Sequence, residues 1–411
     1  MSHIKISRQL DKKVRQVALL YSATFLGAVL NFIASKVNTD YLLPAEYGDV
    51  RYVLNFIQLV SWVVLFGWYM SGSRLLALSD DKRYSARIRG TLIVCLMVSA
   101  LILMLTVLVV GIVHAGDVGL SHLFFIAIPV AAYPLLTSCM NTTAQGDNHI
   151  GRLALARVLP VLCYIPIAIL LYRLYGADSK KVILLHWGIC SIVMVLIIIS
   201  THPKFQELKP VFSALREENK SYGIKLYWGS LAMVATNYLA GVTLGWFNDD
   251  NSNVGFYTLA LSLAQPLSYL PGIVGTTYFR HFTREPRIPG KVFIITLVIT
   301  VVSCLGFIAL IRPVVSLYDE SYSIVAKYAA LLAIGFSIHG IGDMINRYLG
   351  SHGQGSTIRN CSYACGAVKI AGSLLFVWLW NVNGAVITLI LSSAVYTLSL
   401  YMGYRSFIRG N

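Results

Sequence analysis

Twelve runs of about 20 predominantly apolar residues divide this sequence, near 16–36, 52–72, 90–113, 120–142, 154–174, 181–200, 223–246, 255–278, 291–311, 324–347, 361–380 and 383–404. A helix of that length spans the ~30 Å hydrocarbon core of a bilayer. Backbone groups in hydrocarbon must find partners within the protein, which restricts spanning structures to helices and closed barrels, and runs of this length are helical. Only 12% of residues are charged, against the ~25% usual in soluble domains. The expected fold class is therefore an all-α polytopic membrane protein with about twelve transmembrane helices. The longest connector, THPKFQELKPVFSALREENKSYG, divides the runs six and six. The expected organisation is an N-terminal six-helix lobe over 1–200, a cytoplasmic linker over 201–222 and a C-terminal six-helix lobe over 223–411.

The formal charge of +15 invites a nucleic-acid reading, which the placement of the charges argues against. Lys and Arg lie mainly in short connectors, and no basic face is continuous with aromatics. With the N-terminus inside, the inner segments hold 25 of the 33 Lys and Arg and the outer segments 7. The inner set runs from the tail (Lys5, Arg8, Lys12, Lys13, Arg15) through stretches such as Arg280 to Lys291, to Arg405 and Arg409. This asymmetry follows the positive-inside rule and places both termini in the cytoplasm. The seven Cys lie almost entirely inside apolar runs. They read as small buried residues, with no Cys/His spacing for a metal. No nucleophile–base set, paired carboxylates or phosphate loop stands out, and the outer connectors are too small for a catalytic domain. No enzymatic activity is expected.

What remains is polarity at membrane depth. In the second run Arg51, Asn55 and Gln58 fall at i, i+4 and i+7, with Trp62 at i+11, so a helix puts them on one face. Such a stripe lines something wet or hydrogen-bonds a neighbouring helix. Its counterpart in the eighth run is Thr258, Ser262, Gln265 and Tyr269. Gly48 and Gly255 match at an offset of 207 residues, as do Gln58 and Gln265. Arg74 and Arg280 match within one residue of it, and Gln145-Gly146 pairs with Gln354-Gly355 at 209. These matches point to a parallel internal repeat relating the two lobes, with a site expected between them. Pro266 and Pro271 lie in the eighth run. Pro129 and Pro134 are expected to break the fourth run, and Pro160 and Pro166 the fifth.

Further candidates carry charge. Lys36, Asp40 and Arg51 cluster with Asn31 at the outer ends of the first two runs; either the two cations snorkel to the interface with Asp40 or Asp49 paired to them, or they meet a substrate. His339, Asp343 and Arg347 share one face of the tenth run. The spacing of Asp343 and Arg347 suits an intrahelical ion pair, and the alternative is a polar gate or a proton-responsive site around His339. Lys369 stands near the middle of CSYACGAVKIAGSLLFVWLW, where it costs a few kcal/mol if it faces lipid. It must face a cavity or a packed partner. Gly366, Ala367, Ala371 and Gly372 around it permit close helix approach.

The segments LLPAEYGDVRYVLNFIQL, NVGFYTLALSLAQPLSYLPGIVGTTYFRHF and WNVNGAVITLILSSAVYTLSLYMGYR resemble the polysaccharide-transport branch, with its Wzx-type O-antigen flippases, of the multidrug/oligosaccharidyl-lipid/polysaccharide (MOP) exporter superfamily. The resemblance implies two six-helix lobes alternating between inward- and outward-open states in a bacterial inner membrane. It implies an undecaprenyl-diphosphate-linked oligosaccharide, such as an O-antigen repeat unit, as substrate, with cations meeting the diphosphate. By position these are Lys36, Arg51 and Lys369. Asn55, Gln58, Ser262, Gln265 and Tyr269 are the candidate sugar contacts, and Asp40, His339, Asp343 and Arg347 the candidate gate or coupling residues. No cofactor is expected, and a proton or sodium gradient is the candidate driving force. The implied partners are the lipid-linked substrate, the bilayer, a polysaccharide polymerase and chain-length machinery, and no nucleic acid. The competing readings are a drug exporter of the same superfamily and a membrane glycosyltransferase or polymerase.

Overall fold

The computed structural model describes residues 2–410 and, within them, the side chains of 18–409 except Ala235 and Arg280. The cationic side chains of Lys5, Arg8, Lys12, Lys13, Arg15 and Arg280, counted above as inner charges, therefore lie outside the described residues. The described chain is helical almost throughout and contains no strand. It divides into two compact units. One comprises the residues up to Tyr41 together with Val60–Trp228, and the other comprises Leu42–Leu59 together with Gly229 onward. The boundary thus falls inside the second helix.

The first unit begins with α1 (Ser2–Thr39) and takes in the last residues of α2 (Pro44–Val63). It continues through α3 (Trp68–Leu78), α4 (Lys82–Val113), α5 (Val118–Ala127) and α6 (Tyr133–Gly146). It is completed by α7 (Ile150–Tyr175), α8 (Ser179–Ile199) and α9 (Leu208–Glu218). Asp81, Asp117 and Asp178 cap α4, α5 and α8 by accepting from backbone N–H groups of the first turn, the usual service of a short acidic side chain at that position. Asn38 on α1 accepts a hydrogen bond from Tyr164 on α7, whose hydroxyl is 3.0 Å from that of Tyr172.

Between α2 and α3 the chain bends by 58°. Phe66 and Gly67 take left-handed φ values of 48° and 78°, so the run 52–72 is a broken helix with no proline to announce it. Side chains recover three of the carbonyls at the break. Tyr227 Oη donates to Val63 O at 2.7 Å, Ser99 Oγ to Val64 O at 2.9 Å and Asn219 Nδ2 to Phe66 O at 3.0 Å. Non-helical backbone at membrane depth persists only where such partners exist. The prolines behave in two ways. Pro129 sits in a 3-10 turn, Ile128–Val130, that separates α5 from α6. Pro160 and Pro166 do not break the fifth run: both lie inside a continuous α7, as membrane helices allow when neighbours take over the freed carbonyls.

The second unit holds the first part of α2, and α10 (Ile224–Ser230) leads the chain into it. A π-helical turn, Leu231–Ala235, separates α10 from α11 (Thr236–Trp246). Then α12 (Ser252–Ala264) passes through a 3-10 turn at Gln265–Ser268 into α13 (Tyr269–Phe282). The unit closes with α14 (Gly290–Val315), α15 (Val325–Ser351) and α16 (Gly355–Gly410). The last is two helices joined at Asn381, where φ is 49° and ψ −128°. Phe282, Tyr348, Leu349, Cys365, Tyr396 and Leu400 form a core packed among α13, α15 and α16. All twelve apolar runs fall on helices, the second interrupted by a turn at 64–67 and the fourth at 131–132. Among the described residues eight helices, or nine if the bent α2–α3 pair is one span, are long and apolar enough to cross a membrane. The count is below twelve because the seventh and eighth runs are cut into short helices and α16 contains two runs.

What draws Leu42–Leu59 into the second unit is a close crossing of α2 and α12. Gly48 and Gly255 face each other there. A Cβ on Gly255 would stand 3.3 Å from Gly48 Cα, and a Cβ on Gly48 would stand 1.8 Å from Asn251 O. Asn251 Nδ2 in turn donates to Asp49 Oδ1 at 2.8 Å, and Tyr322 Oη donates to Leu42 O at 2.9 Å. Small residues are how membrane helices let their backbones approach, since burial gives no advantage over lipid. Gly48→Ala is therefore expected to destabilise the purified protein by about 1–3 kcal/mol through overpacking. Gly229→Ala, where nothing lies within 4 Å of the new Cβ, should not lower the thermal unfolding midpoint, since an unobstructed Ala favours the helix. Equal midpoints for the two variants would remove the crossing from this role.

Candidate functional site

The second unit encloses a cavity of about 280 Å³. On the α2 wall are Arg51 and Asn55, one turn apart. Asn55 is only 5% exposed; its Nδ2 donates to Thr258 Oγ1 on α12 at 3.3 Å, and it packs on Gly241 of α11. Thr258, Ser262, Gln265 and Tyr269 carry the opposing polar surface, through the 3-10 turn from α12 to α13. The helix-to-turn change keeps all four on the cavity although it interrupts the regular period. Ser262 Oγ donates only to its own helix, to Leu259 O at 2.7 Å, while Gln265 and Tyr269 are exposed.

The floor is charged. Lys369 on α16 is 6% exposed. Its Nζ donates to Met233 O at 3.3 Å and to Asn237 Oδ1. Met233 lies in the π turn, and its carbonyl also accepts from Thr236 Oγ1 at 3.2 Å; one turn before Lys369, a Cβ on Gly366 would stand 2.4 Å from Ala232 O. Close approach at Gly366 therefore brings Lys369 to this carbonyl. Asp343 on α15 interacts electrostatically with Lys369 and accepts from Tyr396 Oη at 3.1 Å. Tyr396 Oη also accepts from Asn346 Nδ2 at 2.7 Å, and its ring stacks on His339 with centroids 4.5 Å apart. His339 and Asp343 both face the cavity.

The structure brings together Arg51, Asn55, Ser262, Gln265, Tyr269, His339, Asp343 and Lys369, eight of the residues singled out from the sequence. It places the others elsewhere. Lys36 and Asp40 pair with each other at the end of α1, in the first unit. Gln58 lies on α2 outside the cavity lining. Arg347 is exposed, and the Asp343–Arg347 ion pair suggested by their spacing is not formed among the described residues. Tyr396 on the neighbouring helix captures the carboxylate instead, showing that i, i+4 spacing permits a pair without requiring it. Sequence reasoning missed Asn237, the partner of Lys369, and Tyr396, the hub of the charged floor. Asn237 carried a usable signal, a lone amide within an apolar run. Tyr396 carried none.

Two cations, one carboxylate, hydroxyls and amides in a cavity within a membrane-spanning unit suit a ligand that combines negative charge with hydroxyl groups. Arg51 Nε is buried and meets no hydrogen-bond partner among the described residues.

Comparison with known proteins fixes the family. Residues 14–279, more than half of the chain, match the family model described as polysaccharide biosynthesis protein. The chain belongs to that family. A search of the curated proteins finds no match. Among solved structures, the lipid II flippase MurJ in an inward closed conformation superposes with a TM-score of 0.75 at 15% identity, over 94% of this chain and 87% of that one. An inward-facing multidrug resistance MATE family transporter of the MOP superfamily gives 0.67 at 14% identity, over 96% and 98%. An outward-facing conformation of such a transporter gives 0.59 at 14%, over 96% and 98%. The fold of this family member is thus a MOP-type transporter fold, as the resemblance implied, and the protein is a multi-pass membrane protein.

Lys369→Met removes both bonds from the ammonium and leaves the Met233 carbonyl without this donor. It should lower stability by about 1–3 kcal/mol, seen as a lower midpoint in thermal unfolding of the detergent-solubilised protein. Ser262→Ala, on the same cavity, should not, because its hydroxyl bonds only within its helix. An unchanged midpoint for Lys369→Met would show the ammonium to be held by solvent rather than by the π turn.

Proposed function

We propose that this protein flips an undecaprenyl-diphosphate-linked oligosaccharide, an O-antigen or similar repeat unit, from the cytoplasmic to the periplasmic leaflet of a bacterial inner membrane by alternating access. The observation that carries this reading is the cavity of the second unit, where Arg51 and Lys369 stand beside a band of amide and hydroxyl groups. The cations meet the diphosphate, with Arg51 offering the forked donors that match phosphate oxygens. Asn55, Ser262, Gln265 and Tyr269 supply hydrogen bonds that tolerate varied sugar hydroxyls. The polyprenyl tail stays in hydrocarbon while the head group crosses, and no bond is made or broken. His339 and Asp343 are the titratable groups through which a proton gradient would act, or Asp343 the carboxylate through which a sodium gradient would. The fold likeness to MATE transporters supports a second reading, export of small molecules. One carboxylate against two cations makes the cavity a poor host for cationic drugs, which favours the lipid-linked anion.

Arg51→Ala tests the reading. In cells whose own flippase of this class is deleted, the wild-type gene should restore surface glycan, and the variant should export at least tenfold less at equal membrane abundance. Arg51→Lys, which keeps the charge but loses the fork, should fall between the two. Undiminished export by Arg51→Ala would remove the diphosphate-contact role.

A further inference from the structure

The first unit has a pocket of its own, of about 140 Å³, set against the break between α2 and α3. A cavity of about 150 Å³ takes up one benzene ring, so this pocket is on the scale of one six-membered ring. One wall is apolar and aromatic, built from Trp62, Leu65 and Met70 on the two sides of the break, with Tyr227. The Tyr227 ring is held there by its hydroxyl, which donates to Val63 O at 2.7 Å. The other wall is the face of α6 that presents Ser138, Asn141 and Thr142, at i, i+3 and i+4. Thr142 Oγ1 is occupied, donating to Ser138 O at 2.8 Å. The Ser138 hydroxyl and the Asn141 amide, both half-buried, have no side-chain hydrogen-bond partner among the described residues. A half-buried amide on a membrane helix is costly unless something satisfies it. No Lys, Arg, Asp, Glu or His lines the pocket.

We infer that this pocket binds one neutral sugar ring of the lipid-linked substrate, with the C–H face of the ring against Trp62 and its polar edge against Ser138 and Asn141. The inference rests on the flippase reading above and assigns to the first unit an uncharged sugar site of its own. The chemistry selects the ligand. A diphosphate finds no cation here, and a cationic drug finds no carboxylate. A purely apolar ligand would leave Ser138 and Asn141 unpaired. A sugar ring has one apolar face and one hydrogen-bonding edge, as the two walls do, and ligand sites of this kind combine apolar walls with a few placed polar groups. The inference also gives a role to Trp62, the last member of the α2 stripe, which the cationic cavity does not use.

The test measures the full-length purified protein against two probes, undecaprenyl diphosphate and undecaprenyl diphosphate bearing one N-acetylglucosamine. The quantity read is the ratio of their dissociation constants on a single preparation, so that partial misfolding of a variant cancels. The wild type should prefer the sugar-bearing lipid about tenfold, the worth of one or two buried hydrogen bonds. The ratio should fall toward one in Ser138→Ala/Asn141→Leu and, separately, in Trp62→Leu. A ratio that persists in both variants overturns the inference, and so does a wild-type ratio of one. In the latter case binding of both lipids leaves the flippase reading standing. Failure of the wild type to bind either lipid overturns that reading and this inference with it.

Discussion

The crossing of α2 over α12 at Gly48 and Gly255 is the contact on which the cationic cavity depends. Without side chains at those positions the backbones approach until a Cβ would collide with Asn251 O. That approach sets Asn55 within reach of Thr258 and brings Arg51 to the cavity wall. A segment from early in the sequence thereby supplies a wall of a unit otherwise built from residues after Gly229. The energetic logic belongs to membranes, where helices associate through backbone proximity and polar contacts.

Irregular backbone plays the complementary part. The π turn at Leu231–Ala235 presents Met233 O to Lys369, so a buried ammonium is satisfied by an amide and a main-chain carbonyl. The 3-10 turn at Gln265–Ser268 keeps a polar band on the cavity from Thr258 to Tyr269. The left-handed pair Phe66 and Gly67 breaks α2 from α3, and side chains recover three of the carbonyls there. At the π turn and at the break a polar partner stands at the irregular backbone, and the 3-10 turn and the break lie on a cavity lining.

Much of the cavity was legible in the sequence, for a physical reason. Polar residues at membrane depth are costly, so Asn55, Gln265 and Lys369 advertise themselves against an apolar background. Helical spacing then shows which of them share a face. It does not show what that face meets. Lys36 and Asp40 form the ion pair that their spacing allowed, at the end of α1, and not a wall of the cavity that Arg51 lines. Asp343 feels the charge of Arg347 but makes no ion-pair contact with it, and its hydrogen bond comes from Tyr396. The glycine match at 48 and 255, read as the trace of a repeat, has a local explanation as well, because the two residues touch. The break at Phe66–Gly67 and the π turn left no mark that periodicity could detect.

The central claim is that the head group of a lipid diphosphate crosses the membrane through this protein. The most direct measurement is transbilayer movement in proteoliposomes holding only the purified protein and an undecaprenyl-diphosphate oligosaccharide, read as the rate at which an enzyme confined outside gains access to inner-leaflet sugar. The account predicts protein-dependent access that is competed by undecaprenyl diphosphate but not by undecaprenol, which lacks the phosphates. Access no faster than in protein-free liposomes, with or without an imposed proton or sodium gradient, would contradict it.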